Sequence, residues 1–209
     1  MNEELANILQ KVRLLYRKYG IRSVTMDDVS HELGISKKTL YQYVRDKDEL
    51  VREVIDLELS LGHEYLQLRC SEDLNAVEQL GEIAACVSFM MKEYSTVIEY
   101  DLKKYYPDLY LKAREIKREQ MFKFLRANLA KGKQEGLYRK NLNVDILSKL
   151  NLSFIDSMFE SEVISIPEFL DQRYFYEYFE YHLRGVVSEK GLQVLDKELR
   201  KFGIINVNQ

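Results

Sequence analysis

Residues 25–47, Thr-Met-Asp-Asp-Val-Ser-His-Glu-Leu-Gly-Ile-Ser-Lys-Lys-Thr-Leu-Tyr-Gln-Tyr-Val-Arg-Asp-Lys, constrain this chain more than any other stretch. Thr25 is placed to cap a helix, and Asp28, three residues on, completes a capping box. Val29 and Leu33 lie four apart and give that helix one apolar edge. Gly34 suits the left-handed conformation that ends a helix, with Ile35 packing beneath the turn. Ser36 is a second N-cap, opening a helix expected to run to Val44. Two helices joined by so short a turn form a helix-turn-helix, which lays the N-terminal residues of its second helix in a DNA major groove. That end carries Lys37, Lys38, Thr39, Tyr41, Gln42 and Tyr43, a cationic, hydroxylated and aromatic set suited to phosphates and base edges. Lysines in isolation mark a solvated face; placed just after a helix cap beside Thr39, Tyr41 and Tyr43, they point to nucleic acid.

The rest of the chain reads as helix. Nine Gly and two Pro in 209 residues are too few for a succession of hairpins, so an all-α fold is expected. A net charge of −3 looks unfavourable for a DNA binder, but from Lys11 to Lys47 nine Lys and Arg face four Asp and Glu, a local balance of +5. Screening over about 8–10 Å makes the local balance the relevant one. Cys70 and Cys86 lack a CxxC spacing or a His partner at metal spacing, and read as reduced, packed thiols. Lys11 and Arg13 interrupt the first apolar stretch, so no signal peptide is expected, and no run of about 18 apolar residues suggests a membrane span. A cytoplasmic protein with no cofactor and no metal is expected.

A first helix presents Leu5, Ile8, Leu9, Val12, Leu15 and Tyr16 on one face and stops at Gly20. Asp46 with Glu49 predicts a further capping box, opening a long helix to about Arg69, with Lys47 in its first turn where a phosphate is favoured. Asn75 and Glu78 predict the cap of a fifth helix. Ser95 starts a sixth that ends near Lys103, and Pro107 a seventh that runs to about Gly136. In residues 144–160 the apolar positions cover roughly 240° of an ideal helix, against the roughly 100° stripe an ordinary surface helix needs. In 168–187 the polar strip is only Arg173, Glu177, Glu180 and Arg184. Helices this apolar must be covered twice, once by their own core, and a self-complementary two-fold interface is the economical second cover. A short helix is expected to close the chain between Ser188 and Phe202.

The run Gly34-Ile35-Ser36-x-x-Thr39-Leu40-Tyr41-x-Tyr43-Val44-x-x-Lys47-x-x-Leu50 resembles the TetR family of bacterial transcriptional regulators, as do Tyr19-Gly20 and Thr25 before it. The resemblance covers about residues 5–55. It implies a three-helix DNA-binding domain over residues 2–62, with its helix-turn-helix at 25–44, and a helical effector-binding and dimerisation domain over 63–209. It places Thr25, Ser36, Thr39, Tyr41 and Lys47 at positions that touch the DNA backbone, and Lys37, Lys38, Gln42 and Tyr43 where base edges are reached. Two departures stand out: Lys38 replaces a small residue, and Asp27-Asp28 replace a basic one. Both bear on operator sequence.

The resemblance implies a homodimeric repressor, released from a palindromic double-stranded operator by an unidentified small-molecule effector. Candidate pocket residues are Tyr65, Cys86, Phe89, Met90, Tyr94, Tyr100, Tyr105, Tyr110, Met121, Phe122, Phe154 and Met158, soft and aromatic side chains that serve equally as core. The expected dimer surface is Leu147, Asn151, Phe154, Met158, Tyr174, Tyr178, Phe179, Tyr181 and His182. His31, His63 and His182 are scattered, and GxSxG, P-loop and dinucleotide-binding patterns are missing, so an enzyme is not expected. Two other readings remain open at this point: a helical protein-interaction module whose helix-turn-helix contacts protein, and a helical-bundle enzyme.

Overall fold

The computed structural model describes residues 3–92, 94–158, 163–165, 168 and 171–201, and among these every regular element is a helix. In chain order they are α1 Glu3–Tyr19, α2 Met26–Leu33, α3 Lys37–Leu40, α4 Lys47–Arg69, α5 Ala76–Lys92, α6 Thr96–Tyr105, α7 Pro107–Gln134, α8 Val144–Met158, α9 Gln172–Val186 and α10 Glu189–Lys201. None of the described helices is long and apolar enough to cross a membrane. The chain forms two compact units, residues 1–63 with 95–117 and residues 64–94 with 118–209, and α4 and α7 each run from one into the other. The first unit thus takes in a segment, 95–117, that the sequence reading grouped with the C-terminal part.

The first unit is built on the apolar stripe of α1. Ile8, Leu9, Val12, Leu15 and Tyr16 are buried with Val29 of α2, Leu40 and Val44 around α3, Leu50, Val51 and Val54 of α4, and Leu102 of α6. α1 ends at Gly20, whose φ of +82° is a left-handed value that other residues adopt only with strain. A Cβ there would also lie 2.8 Å from Val97 Cγ1 and 3.1 Å from Asp101 Oδ2, so the turn and α6 meet at a point only glycine permits. Asp101, 5% exposed, uses that proximity to accept the Arg22 backbone N–H at 2.8 Å. Asp101→Ala leaves this donor without its charged acceptor. A loss of about 2 kcal/mol is expected, read as a lower denaturant midpoint at unchanged slope. An unshifted midpoint would show that the turn holds without α6.

The second unit packs α5 against α9 and α10. Its core includes Val77, Leu80, Leu129, Leu137, Tyr138, Leu183, Val186, Leu195 and Leu199. Asn75 and Glu78 form the expected capping box: the Asn75 side chain accepts from the N–H of Val77 and Glu78, and Glu78 accepts the Asn75 N–H at 2.9 Å. The segment after α7 is pinned to the start of α10 by an antiparallel bridge between Tyr138 and Val187, with Ser188 N–H donating to the Leu137 carbonyl at 2.8 Å. Gly191 seats α10 on that segment, since a Cβ there would fall 1.9 Å from the Leu137 carbonyl oxygen.

Candidate nucleic-acid interface

The helix-turn-helix forms as its caps dictate. The Thr25 hydroxyl accepts the Asp28 N–H at 3.1 Å and Asp28 returns the bond to the Thr25 N–H at 2.8 Å, while Gly34 closes α2 with φ +67°. The Ser36 hydroxyl accepts the Thr39 N–H at 3.0 Å and opens α3. α3 is shorter than expected: α-helix covers Lys37–Leu40, and the chain then tightens, with Gln42 N–H bonding the Thr39 carbonyl and both Tyr43 and Val44 N–H bonding that of Leu40. Thr39, Tyr41, Tyr43 and Val44 are weak helix formers, so the last turn contracts instead of propagating. The polarity of the motif survives the contraction. Leu40 and Val44 are buried; Ser36, Lys37, Lys38, Tyr41 and Gln42 face solvent, and Thr39, Tyr43 and Lys47 are half-buried.

Beyond the cap residues Thr25, Ser36 and Thr39, three more of the expected DNA-contacting side chains have protein partners. Lys37 Nζ lies 2.9 Å from Asp27 Oδ1 and donates to Oδ2 at 3.0 Å, and this carboxylate holds the Lys37 ammonium above the usual lysine range. The Tyr43 hydroxyl donates to Glu4 at 2.5 Å, tying the end of the motif to α1 and raising the Tyr43 phenol. Lys47 Nζ donates to the Arg22 carbonyl at 3.2 Å; burial chiefly, then the nearby Arg22 charge, pull its affinity for a proton down. Lys47 and Asp101 thus hold the carbonyl and the N–H of one residue in the turn before Thr25. Lys38 projects with no carboxylate partner among the described residues. The expected box at the start of α4 forms by half: Asp46 accepts the Glu49 N–H at 2.8 Å, whereas Glu49 takes the N–H of Arg45 instead of that of Asp46.

Sequence reasoning missed Glu4, Arg22 and Asp101 as components of this surface, and marked Asp27 only as a departure from the family pattern, without its partner Lys37. Opposite charge at the leading ends of α2 and α3 was the visible hint of the Asp27–Lys37 pair. Nothing local marked the other three.

An ammonium carries three donors, so Lys47 retains two for a phosphate after bonding the Arg22 carbonyl. Lys47→Ala is expected to weaken binding to all DNA sequences alike and to lower the slope of log affinity against log salt by about one. A lower affinity with the slope intact would confine Lys47 to holding the turn.

The residues expected in a ligand pocket separate. Tyr100 is 56% and Tyr105 40% exposed, and both lie beneath Lys104, so they line solvent-facing cation–π contacts, not a cavity. Tyr110 packs on the first unit's core and lies under Lys103. Cys86 is buried; Tyr65, Tyr94, Met121, Phe122 and Phe154 are half-buried in the second unit. The Phe89, Met90 and Met158 side chains lie outside the described ones. Within that unit Phe154 stacks on Tyr178 with ring centroids 3.7 Å apart, and Tyr178 on His182 at 6.0 Å. His182 faces buried Asn151 at 3.1 Å, and burial holds its imidazole below the usual histidine range.

The expected dimer surface is also redistributed. Phe179 and Asn151 are buried within the unit, and Leu147 packs on its core. Tyr174 and Tyr181 remain outward, 44% and 78% exposed, joined by Ile146 at 56% and Leu150 at 59%. Positions 146 and 150, and 174 and 181, each fall on a single stripe of their helix.

A three-helix head whose second and third helices present a capped, cationic edge is a DNA-binding unit, and an all-helical second unit completes the plan of a transcriptional regulator. Residues 8–54 match the sequence model for bacterial regulatory proteins of the tetR family. Across 156 residues the chain is 28% identical to the HTH-type transcriptional regulator YvaF of Bacillus subtilis, covering 74% of this chain and 80% of that one. Its fold is similar to that of a transcriptional regulator from Cytophaga hutchinsonii, with a TM-score of 0.75 at 16% identity over 90% of this chain and 100% of that one. It is also similar to AibR in complex with isovaleryl coenzyme A and operator DNA, with a TM-score of 0.53 at 15% identity over 76% and 87% of the two chains. Residues 8–54 thus carry the pattern of tetR-family regulators, and the chain is a DNA-binding transcriptional regulator similar to YvaF over 74% of its length.

Proposed function

We propose that this regulator acts as a homodimeric repressor, released from a two-fold-symmetric operator by a small molecule bound in its C-terminal domain. The observation that carries the DNA reading is the division of residues 36–44 into a buried pair, Leu40 and Val44, and an exposed edge of Ser36, Lys37, Lys38, Tyr41 and Gln42. On this reading Thr25, Ser36, Thr39, Tyr41 and Lys47 meet the phosphate backbone. Lys37, Lys38 and Gln42 reach base edges, Gln42 suiting adenine and the lysines guanine. Tyr43, held by Glu4, positions the end of the motif. The DNA-binding domain is taken as residues 2–62 and the effector and dimerisation domain as 63–209. The protein works where bacterial DNA lies, in the cytoplasm.

The outward stripes of α8 and α9 support a dimer, since a two-fold axis through them covers Ile146, Leu150, Tyr174 and Tyr181 with their own copies. The effector is proposed to bind among the half-buried aromatic residues of the second unit. That AibR has been captured with both isovaleryl coenzyme A and operator DNA supports a fold that accommodates a small molecule as well as a duplex. α4 and α7 provide covalent continuity between the two units. An effector that lowers operator affinity tenfold must prefer the released conformation by about 1.4 kcal/mol.

Selection of bound sites from a random double-stranded pool by the full-length protein tests this reading. The expected result is a two-fold-symmetric site whose affinity falls steeply with salt. Retention of no sequence, together with salt-independent association with other proteins, would favour the protein-interaction module.

A further inference from the structure

Asp27 is an acidic residue on a surface that must approach polyanionic DNA. The cap of α2 does not explain it, because Asp28 alone exchanges hydrogen bonds with Thr25. Nor does stability, since the Asp27 and Lys37 side chains are 73% and 49% exposed and an ion pair so open contributes little. The pair does set a carboxylate and an ammonium side by side at the leading ends of α2 and α3, with Nζ 2.9 Å from Oδ1.

We infer that Asp27 and Lys37 together form a specificity element that reads one G·C base pair of the operator, Asp27 accepting from cytosine N4 and Lys37 donating to guanine O6; this rests on the DNA reading above. The chemistry is selective. A carboxylate only accepts, and cytosine N4 is the donor that G·C offers in the major groove beside the guanine acceptors O6 and N7. The spacing agrees as well. Cytosine N4 and guanine O6 are joined by an N–H···O bond of about 2.9 Å, so the Asp27–Lys37 pair can lie parallel to it with both new bonds formed at once. Each member also answers the difficulty raised by the other: Lys37 offsets the repulsion between Asp27 and neighbouring phosphates, and Asp27 fixes an otherwise freely rotating lysine. An edge built of lysines alone would favour guanine on either strand. The carboxylate fixes which strand carries the cytosine.

Full-length protein and its Asp27→Ala, Asp27→Asn and Lys37→Ala variants are compared by selection from random duplex DNA, then by titration of the selected site at several salt concentrations. The expected result is a G·C pair at one position of each half-site in the parent selection. Asp27→Ala and Lys37→Ala should each relax that position alone, weakening the parent site about 5- to 150-fold. Asp27→Asn should shift the preference towards adenine, which an amide reads in bidentate fashion. The inference is overturned if Asp27→Ala binds all sequences more tightly with unchanged base preferences, the signature of a carboxylate that merely neutralises Lys37. A parent protein that selects no sequence overturns the DNA reading itself, and this inference with it. Both residues are exposed, so unfolding is not the expected effect; melting of each variant with the parent confirms that binding changes are local.

Discussion

Replacing Leu150 and Tyr181 together by glutamate should yield a folded monomer that binds its operator about 10²–10⁴-fold more weakly than the parent. Both side chains are largely exposed within one chain, at 59% and 78%, so the substitutions leave the core of the second unit intact. In a two-fold interface, however, each substitution occurs twice. Four carboxylates would enter an apolar patch without partners, a desolvation cost that Coulomb attraction does not repay. The DNA consequence follows from effective concentration: once one head is bound, a dimer presents the second half-site at high local concentration, and a monomer loses that advantage. Sedimentation equilibrium and operator titration measure the two halves of the expectation. A double variant that stays dimeric removes the outward stripes of α8 and α9 from the interface, and a monomer with parental operator affinity removes the dimer from DNA recognition. Thermal melting coincident with the parent's is the accompanying expectation.

Local chemistry was legible in the chain; distant partners were not. Thr25 with Asp28, Asn75 with Glu78, and Gly20 and Gly34 at helix ends are determined within three or four residues, and each adopts the geometry its neighbours require. The stripe of α1 named its buried residues because periodicity reports which face is covered. Periodicity does not report by what. The partners of Lys37, Lys47, Tyr43 and Arg22 lie 10, 25, 39 and 79 residues away, so the protein's own hold on its DNA-facing side chains emerged only with the fold. The same limit applied to α8 and α9. Their wide apolar arcs called for two covers, yet only packing divides an arc between them, turning Phe179 inward and leaving Tyr181 outward. The grouping of 95–117 with the head rests on Leu102 and Leu109, which enter the first core. α3 fell short of Val44 because cap and pattern locate where a helix starts better than where weak helix formers let it contract.

Gly132→Ala should destabilise the protein by about 3 kcal/mol, although the same substitution in an open helix stabilises by about 1 kcal/mol. Gly132 lies inside α7, and its missing side chain is filled by the ring of Tyr138: a Cβ would sit 2.1, 2.3 and 2.6 Å from three ring carbons. That ring has nowhere to retreat. Tyr138 is completely buried, and its hydroxyl donates to Asn128 Oδ1 at 2.9 Å and lies 3.1 Å from the Ala76 carbonyl oxygen, while Asn128 itself donates to that same carbonyl at 2.9 Å. Burial raises the phenol well above its ordinary range, which keeps it protonated and able to donate. Moving the ring therefore strains the contact between α7 and the start of α5 and breaks hydrogen bonds in a site where an unpaired polar group costs about 1–3 kcal/mol. The cause can be isolated with a second substitution. Tyr138→Ala alone should lose about 3–5 kcal/mol, as other buried aromatic deletions do. With the ring gone, adding Gly132→Ala should bring no further loss and recover part of the helix propensity. Denaturant midpoints of the four proteins form the cycle, and strict additivity of the two substitutions would show that glycine is required at position 132 for some reason other than the approach of Tyr138.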